Sequence, residues 1–215
     1  KGYLPEALLN FLALLGWNPT ADREVFTKEE LAQLFALEDV NKSGAVFNVE
    51  KLEWLNGQYL RALPELEYLA LALPVLEGIV EDPDQRRRAA LLFRDRITRV
   101  PLLPELVAPW LQEPAVDPAL LLWKTQTATE TKAKLEAVRA WIAALPPEAF
   151  ADLAGLETGL KAWIAGQGWG NGEVLWPLRV ALSGAKQSPS PFELLYLLGK
   201  DAALGRIEKA LTMPG

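Results

Sequence analysis

Six arginines crowd residues 86 to 99: Arg86, Arg87, Arg88, Arg94, Arg96 and Arg99, with no lysine among them. The planar guanidinium fork suits phosphate oxygens and base edges, where a lysine ammonium acts only as a point charge. Another arginine, Arg179, stands inside the apolar run "WPLRVALSG" of residues 176–184. Pattern alone leaves two readings of Arg179. It snorkels out of a helix, or its fork reaches for something anionic. The basic segment is equally open. Helical spacing lets Asp84 and Asp95 pair with neighbouring arginines on a solvated face.

Other chemistries are excluded or poorly supported. The chain has no histidine and no cysteine, which removes Ser-His-Asp catalysis, zinc hydrolysis, thiol nucleophiles and thiolate metal sites. Most carboxylates fall at helix starts or on charged faces, where capping and solvation account for them. The glycines of "GQGWGNGE" lack the preceding strand that a dinucleotide fingerprint requires. The eight tryptophans read as core or helix-contact residues. A net charge of −6 over 215 residues argues against a general nucleic-acid coat, but leaves room for a local basic patch.

The elements that must hold these arginines read as helices. Pro5 opens a first amphipathic segment and Gly16 ends it. "TKEE" (Thr27 to Glu30) has the capping-box form, and Asn48 caps a helix with Leu52, Leu55, Tyr59 and Leu63 on its apolar stripe. Pro74 is expected to split two short helices. Asp82 caps the basic helix, with Pro83 at its first position and Gln85 completing the box. Ala89, Ala90, Phe93, Ile97 and Val100 then share one face, with Arg96 at its edge. Five prolines between 101 and 118 predict a broken connection. "TATE" (Thr127 to Glu130) caps a long helix, "PPEAF" starts another, and "SPFE" (Ser190 to Glu193) caps a helix stopped by Gly199. No alternating strand pattern persists, so the chain reads as mainly α. No apolar run reaches the roughly 20 residues of a membrane span. The chain opens at Lys1 without a methionine and reads as a piece of something larger.

Three blocks carry a resemblance. "GYLPEALLNFLALLGW", "VFNVEKLEWLNGQYLR" and "PLRVALSG…SPSPFELLYLLGK…ALGRIEKAL" resemble, in order and spacing, the C-terminal part of bacterial-type glutamyl-tRNA synthetases; between them "LLFRDRITRVPLLPEL" also resembles the family. The resemblance implies a mainly α fold. A helical stem-contact segment (1–63) would precede an all-α anticodon-binding helix cage in two parts (64–126 and 127–215). The parent enzyme would attach glutamate to tRNA using ATP and magnesium. The family's histidine-rich motif and lysine-serine-lysine loop are absent here, so this segment is expected to carry no catalytic residue, metal or cofactor. The implied partner is tRNA(Glu), with tRNA(Gln) as the alternative, and the implied setting a cytoplasmic monomer. Arg179 matches the arginine that contacts an anticodon base in this family. Ser188 and Pro191 fall at the neighbouring anticodon segment, with proline where the family carries leucine. Arg96, or Arg94 in a shifted register, matches the reader of the third anticodon base in enzymes selective for tRNA(Glu). Arg86, Arg87, Arg88, Arg99 and Lys42 are then candidates for the tRNA backbone. A helical protein-interaction module that keeps the synthetase-like fold is the competing reading.

Overall fold

The computed structural model describes residues 1–17, 23–41 and 46–213. Among these the chain forms eleven α-helices and no strand. In order they are α1 (Pro5–Leu14), α2 (Lys28–Leu34), α3 (Val49–Ala62), α4 (Glu65–Val75), α5 (Pro83–Phe93), α6 (Leu103–Leu111), α7 (Pro118–Leu121), α8 (Ala128–Ala144), α9 (Leu153–Gly166), α10 (Asn171–Ser183) and α11 (Pro191–Thr212). They pack into two compact units. One comprises residues 1–79 and 93–106, the other residues 80–92 and 107–215. This partition differs from the three consecutive segments expected from the sequence.

In the first unit, Phe11, Leu52 and Leu55 join α1 to α3. Trp17, Phe26 and Leu31 form a second small core. Two fully buried asparagines fasten the non-helical stretches. Asn56 on α3 accepts from Leu4 N at 2.7 Å and donates to Thr98 O at 2.5 Å. Asn10 on α1 accepts from Phe26 N at 2.7 Å and donates to Glu24 O at 2.9 Å. Each amide satisfies backbone groups that no helix or sheet could, which is what makes a buried asparagine tolerable.

The second unit encloses a larger apolar core drawn from α8, α9, α10 and α11, including Leu135, Ile142, Leu160, Ile164, Leu178, Leu194, Leu195 and Ile207. Half-buried tryptophans line its edge in stacked sets. Trp123 lies 5.4 Å from Trp176, and Trp163 lies 6.0 Å from Trp141 and 5.7 Å from Trp169. Arg206 is buried on α11 with its guanidinium bonded to the carbonyls of Leu182, Trp110 and Gln112. Burial pushes its pKa down from the usual arginine value. Three carbonyls nonetheless supply a dense acceptor set for its charge.

The local signals are mostly realised. Capping boxes form at Thr27/Glu30, Thr127/Glu130 and Ser190/Glu193. Asn48 caps α3, and Asp82 accepts from Gln85 N at 2.6 Å. Other expectations need correction. Pro74 does not split a helix: it lies inside α4, one residue before the end. Its ring forgoes one i→i−4 bond and crowds the carbonyl four residues back, and the helix ends one residue later. "PPEAF" opens a 3-10 turn (Pro147–Ala151), and α9 starts afresh behind an Asp152 cap. Gln85 does not complete a capping box. Its amide donates to Leu197 O at 3.2 Å, at the point where Gly199 (φ 76, ψ 179) breaks α11. The break leaves carbonyls without helical donors, and Gln85 satisfies one of them.

Candidate nucleic-acid interface

The basic segment is not one helix. α5 ends at Phe93, Arg94–Arg96 forms a 3-10 turn, Ile97 is extended, and a second 3-10 turn follows at Val100–Leu102. The expected apolar face is nevertheless buried: Ala89, Ala90, Phe93, Ile97 and Val100 are all in the core. The cause of the early ending lies in Arg94. Its Nε and Nη2 donate to Leu60 O at 3.2 and 2.9 Å, and Nη2 also donates to Arg61 O at 3.0 Å and to Leu63 O. These are the last carbonyls of α3, which helical geometry leaves without donors. The guanidinium also sits 4.7 Å over the Tyr68 ring. The fork that a shifted register would have aimed at a base is engaged as a helix C-cap.

Arg96 is placed differently. It is exposed on the 3-10 turn, with its guanidinium 5.4 Å from the Phe93 ring centre. Arg99 is half-buried, 3.2 Å from Glu53 Oε1, and donates to Lys1 O at 3.4 Å. Arg94, Arg96 and Arg99 all belong to the first unit; Arg86, Arg87 and Arg88 belong to the second. Arg86 folds back on its own helix start, donating to Val80 O at 2.9 Å and Glu81 O at 3.4 Å. Arg87 is exposed. Arg88 packs against Gly199, where an added Cβ would come 3.5 Å from its Nη2, and its Nε is buried without a hydrogen-bond partner. Lys42 lies outside the described residues.

Arg179 sits on α10, which is held at its N-terminus by Glu173, whose carboxylate accepts from Gly170 N at 3.3 Å and from Lys134 Nζ at 2.7 Å. The lysine, and then that backbone donor, hold the Glu173 carboxyl below its ordinary value. Pro177 is interior and buried, six residues after the helix begins. Gly184 (φ 69) closes the helix. The Arg179 backbone carbonyl accepts from Ser183 Oγ at 2.7 Å. Its half-buried guanidinium makes no hydrogen bond or ion pair with any described residue. Ser188 donates to Pro189 O at 2.8 Å and is half-buried. Pro191 is buried at the first position of α11, where it shapes the Ser190 cap and presents little surface.

The sequence reading missed two features. Arg206 was legible from spacing, because it interrupts the Ala203, Ile207, Ala210 stripe. The orphaned polar atoms of Gln126 and Thr131 carry no such signal. Among the described residues, no three histidine, cysteine, aspartate or glutamate side chains gather as metal ligands, and no helix is long and apolar enough to cross a membrane.

Residues 61–211 match the family described as anticodon binding domain. The chain belongs to that family. Residues 1–54, read from sequence as stem-contact helices, match the family described as tRNA synthetases class I (E and Q), catalytic domain. The chain is similar over nearly its whole length to glutamate–tRNA ligases. That of Clostridium kluyveri is 35% identical over 211 residues, covering 97% of this chain and 43% of that protein. That of Lachnoclostridium phytofermentans is 32% identical, covering 98% and 43%. Among solved structures, a glutamate tRNA ligase from Elizabethkingia meningosepticum, in complex with its amino acid, superposes with a TM-score of 0.79 at 29% identity, over 98% of this chain and 41% of that one. The chain thus spans less than half the length of the relatives it matches.

Proposed function

We propose that this chain binds tRNA(Glu) through the anticodon, as the anticodon-reading part of a glutamate–tRNA ligase. The match of residues 61–211 to the anticodon-binding family carries the proposal. Arg179 and Arg96 supply its chemistry. RNA is read at unstacked loop bases, and a guanidinium fork offers paired donors to their edges. A good bidentate contact is worth about 1–3 kcal/mol of discrimination. Arg179 adds no intramolecular bond that binding would have to break.

Titrating the chain with tRNA(Glu) and with an anticodon-altered tRNA at several salt concentrations tests the proposal. Tighter binding of the first is expected, and equal, weak binding of both would overturn it. Arg179→Ala should weaken binding of tRNA(Glu) about tenfold or more with an unchanged melting temperature, since this guanidinium holds nothing in the fold. A loss of melting temperature instead would assign Arg179 to packing.

A further inference from the structure

Among the described residues, Arg206 is the one buried charged side chain, at 6% exposure. Burying a charge is costly, so its place in the fold calls for a reason. Its partners supply one. Nη1 donates to Leu182 O at 2.5 Å, and Nη2 donates to Trp110 O at 3.0 Å and Gln112 O at 2.6 Å. Leu182 stands one residue before the end of α10, and Trp110 one residue before the end of α6. Their carbonyls are among those that helix ends leave without donors. One planar fork on α11 thus joins the ends of two other helices, and the residues it joins all lie in the second unit.

Arg179 precedes Leu182 by three residues on α10, about 4.5 Å along the helix axis. The helix is weakened just ahead of it, because Pro177 has no N–H to donate to Glu173 O. Leu178, Ala181 and Leu182 bury the turn that carries Arg179, but apolar contacts are non-directional. The directional contacts are at the far end of the turn. One is the Arg206 fork on Leu182 O. The other is Gly184, whose φ of 69 leads the chain out of α10 close against residue 115. An added Cβ there would lie 2.7 Å from Ala115 O. A group that reads a base must be held to about 0.5 Å by its support.

We propose that Arg206 is a positioning residue for anticodon reading: its fork fixes the end of α10, and with it the place of the Arg179 guanidinium. This role rests on the reading of Arg179 as an anticodon contact. Lysine is no substitute, because a point-like ammonium lacks the rigid planar set of donors that spans these three carbonyls.

Affinities for tRNA(Glu) and for a tRNA altered only in the anticodon, measured below each protein's melting temperature, test the role. Arg206→Lys keeps the charge and loses the fork. It should cut the ratio of the two affinities about tenfold, as loss of one good base contact does. Binding of the altered tRNA, held by its phosphates, should stay within about twofold. Arg179→Ala should give the same pattern. The double variant should discriminate no worse than Arg179→Ala alone, because residues acting through one contact are not additive. An arginine that served the fold alone would lower the melting temperature and leave the ratio unchanged. Gly184→Ala disturbs the same helix end without altering the guanidinium and should also lower the ratio; it decides the matter if Arg206→Lys does not fold. Discrimination that survives in Arg206→Lys, or in Gly184→Ala where Arg206→Lys is unfolded, would overturn this role and leave the anticodon reading standing. Losses that add in the double variant would do the same. An unaltered chain that binds both tRNAs equally would overturn the anticodon reading, and this role with it.

Discussion

Two arginines separated by one residue do different things. Arg94 donates to three carbonyls at the end of α3, and Arg96 stands exposed on the same 3-10 turn. Hydrogen bonds from a charged donor contribute about 1.5–3 kcal/mol, and the carbonyls they leave behind are not resolvated for free. Arg94→Ala should therefore lower stability by about 2–3 kcal/mol, seen as a drop in denaturant midpoint. Arg96→Gln, at an exposed position whose guanidinium lies over the Phe93 ring, should cost less stability than Arg94→Ala. It should relax discrimination at the third anticodon base, measured with tRNAs altered only there. If Arg94→Ala leaves the midpoint unchanged, the capping role fails; if Arg96→Gln keeps full discrimination, the reading role fails. Sequence could offer both residues as candidates but could not separate them. The difference is set by α3, some thirty residues earlier in the chain.

At the scale of elements, what was legible was local. A Thr or Ser followed three residues later by Glu encodes its own hydrogen bonds, so the boxes at Thr27, Thr127 and Ser190 could be read directly. The length of α5 and the partner of Gln85 were not legible, because α3 and α11 decide them. The break in α11 was legible through Gly199, and its geometry makes a prediction. A conformation of φ 76, ψ 179 is open to glycine and strained for other residues. The space beside Gly199 is adequate, since an added Cβ meets only Arg88 Nη2 at 3.5 Å. Gly199→Ala should thus destabilise by about 1–3 kcal/mol through backbone strain, with helical circular dichroism retained below the melting point.

The capping carboxylates add a pH dependence. Glu130 is held below its ordinary 4.5 by the Thr127 backbone N–H, then by the Thr127 hydroxyl; Glu30 is held below it mainly by Arg23. A carboxyl whose folded pKa is depressed binds more protons when unfolded. Its stabilisation is present above 4.5 and is lost as pH falls from there through the folded value. The denaturant midpoint should decline below pH 4.5, and Glu130→Gln should make that decline shallower. A decline of equal steepness in the variant would remove Glu130 from the cause.

For the whole molecule, the proposed binding of tRNA must contend with a net charge of −6. The arginines are the local answer, and they are not equivalent. Arg86 donates to Val80 O and Glu81 O, Arg99 donates to Lys1 O and pairs ionically with Glu53, and Arg87 is exposed. Neutralising a phosphate on a single strand contributes a slope of about −0.7 in log affinity against log salt. Arg87→Gln should weaken tRNA(Glu) and anticodon-altered tRNA alike and reduce the slope by about that amount. The acidic body acts at longer range. At 0.1 M salt the screening length is about 10 Å, so RNA on a basic patch is shielded from distant carboxylates. At 0.01 M it is about 30 Å, and the net negative charge of the chain is felt. The plot of log affinity against log salt should then curve, flattening as salt falls below about 30 mM because repulsion offsets the gain at the arginines. A line that stays straight, or steepens, down to 10 mM would mean that the arginine field alone sets long-range attraction and that the acidic residues face away from the RNA.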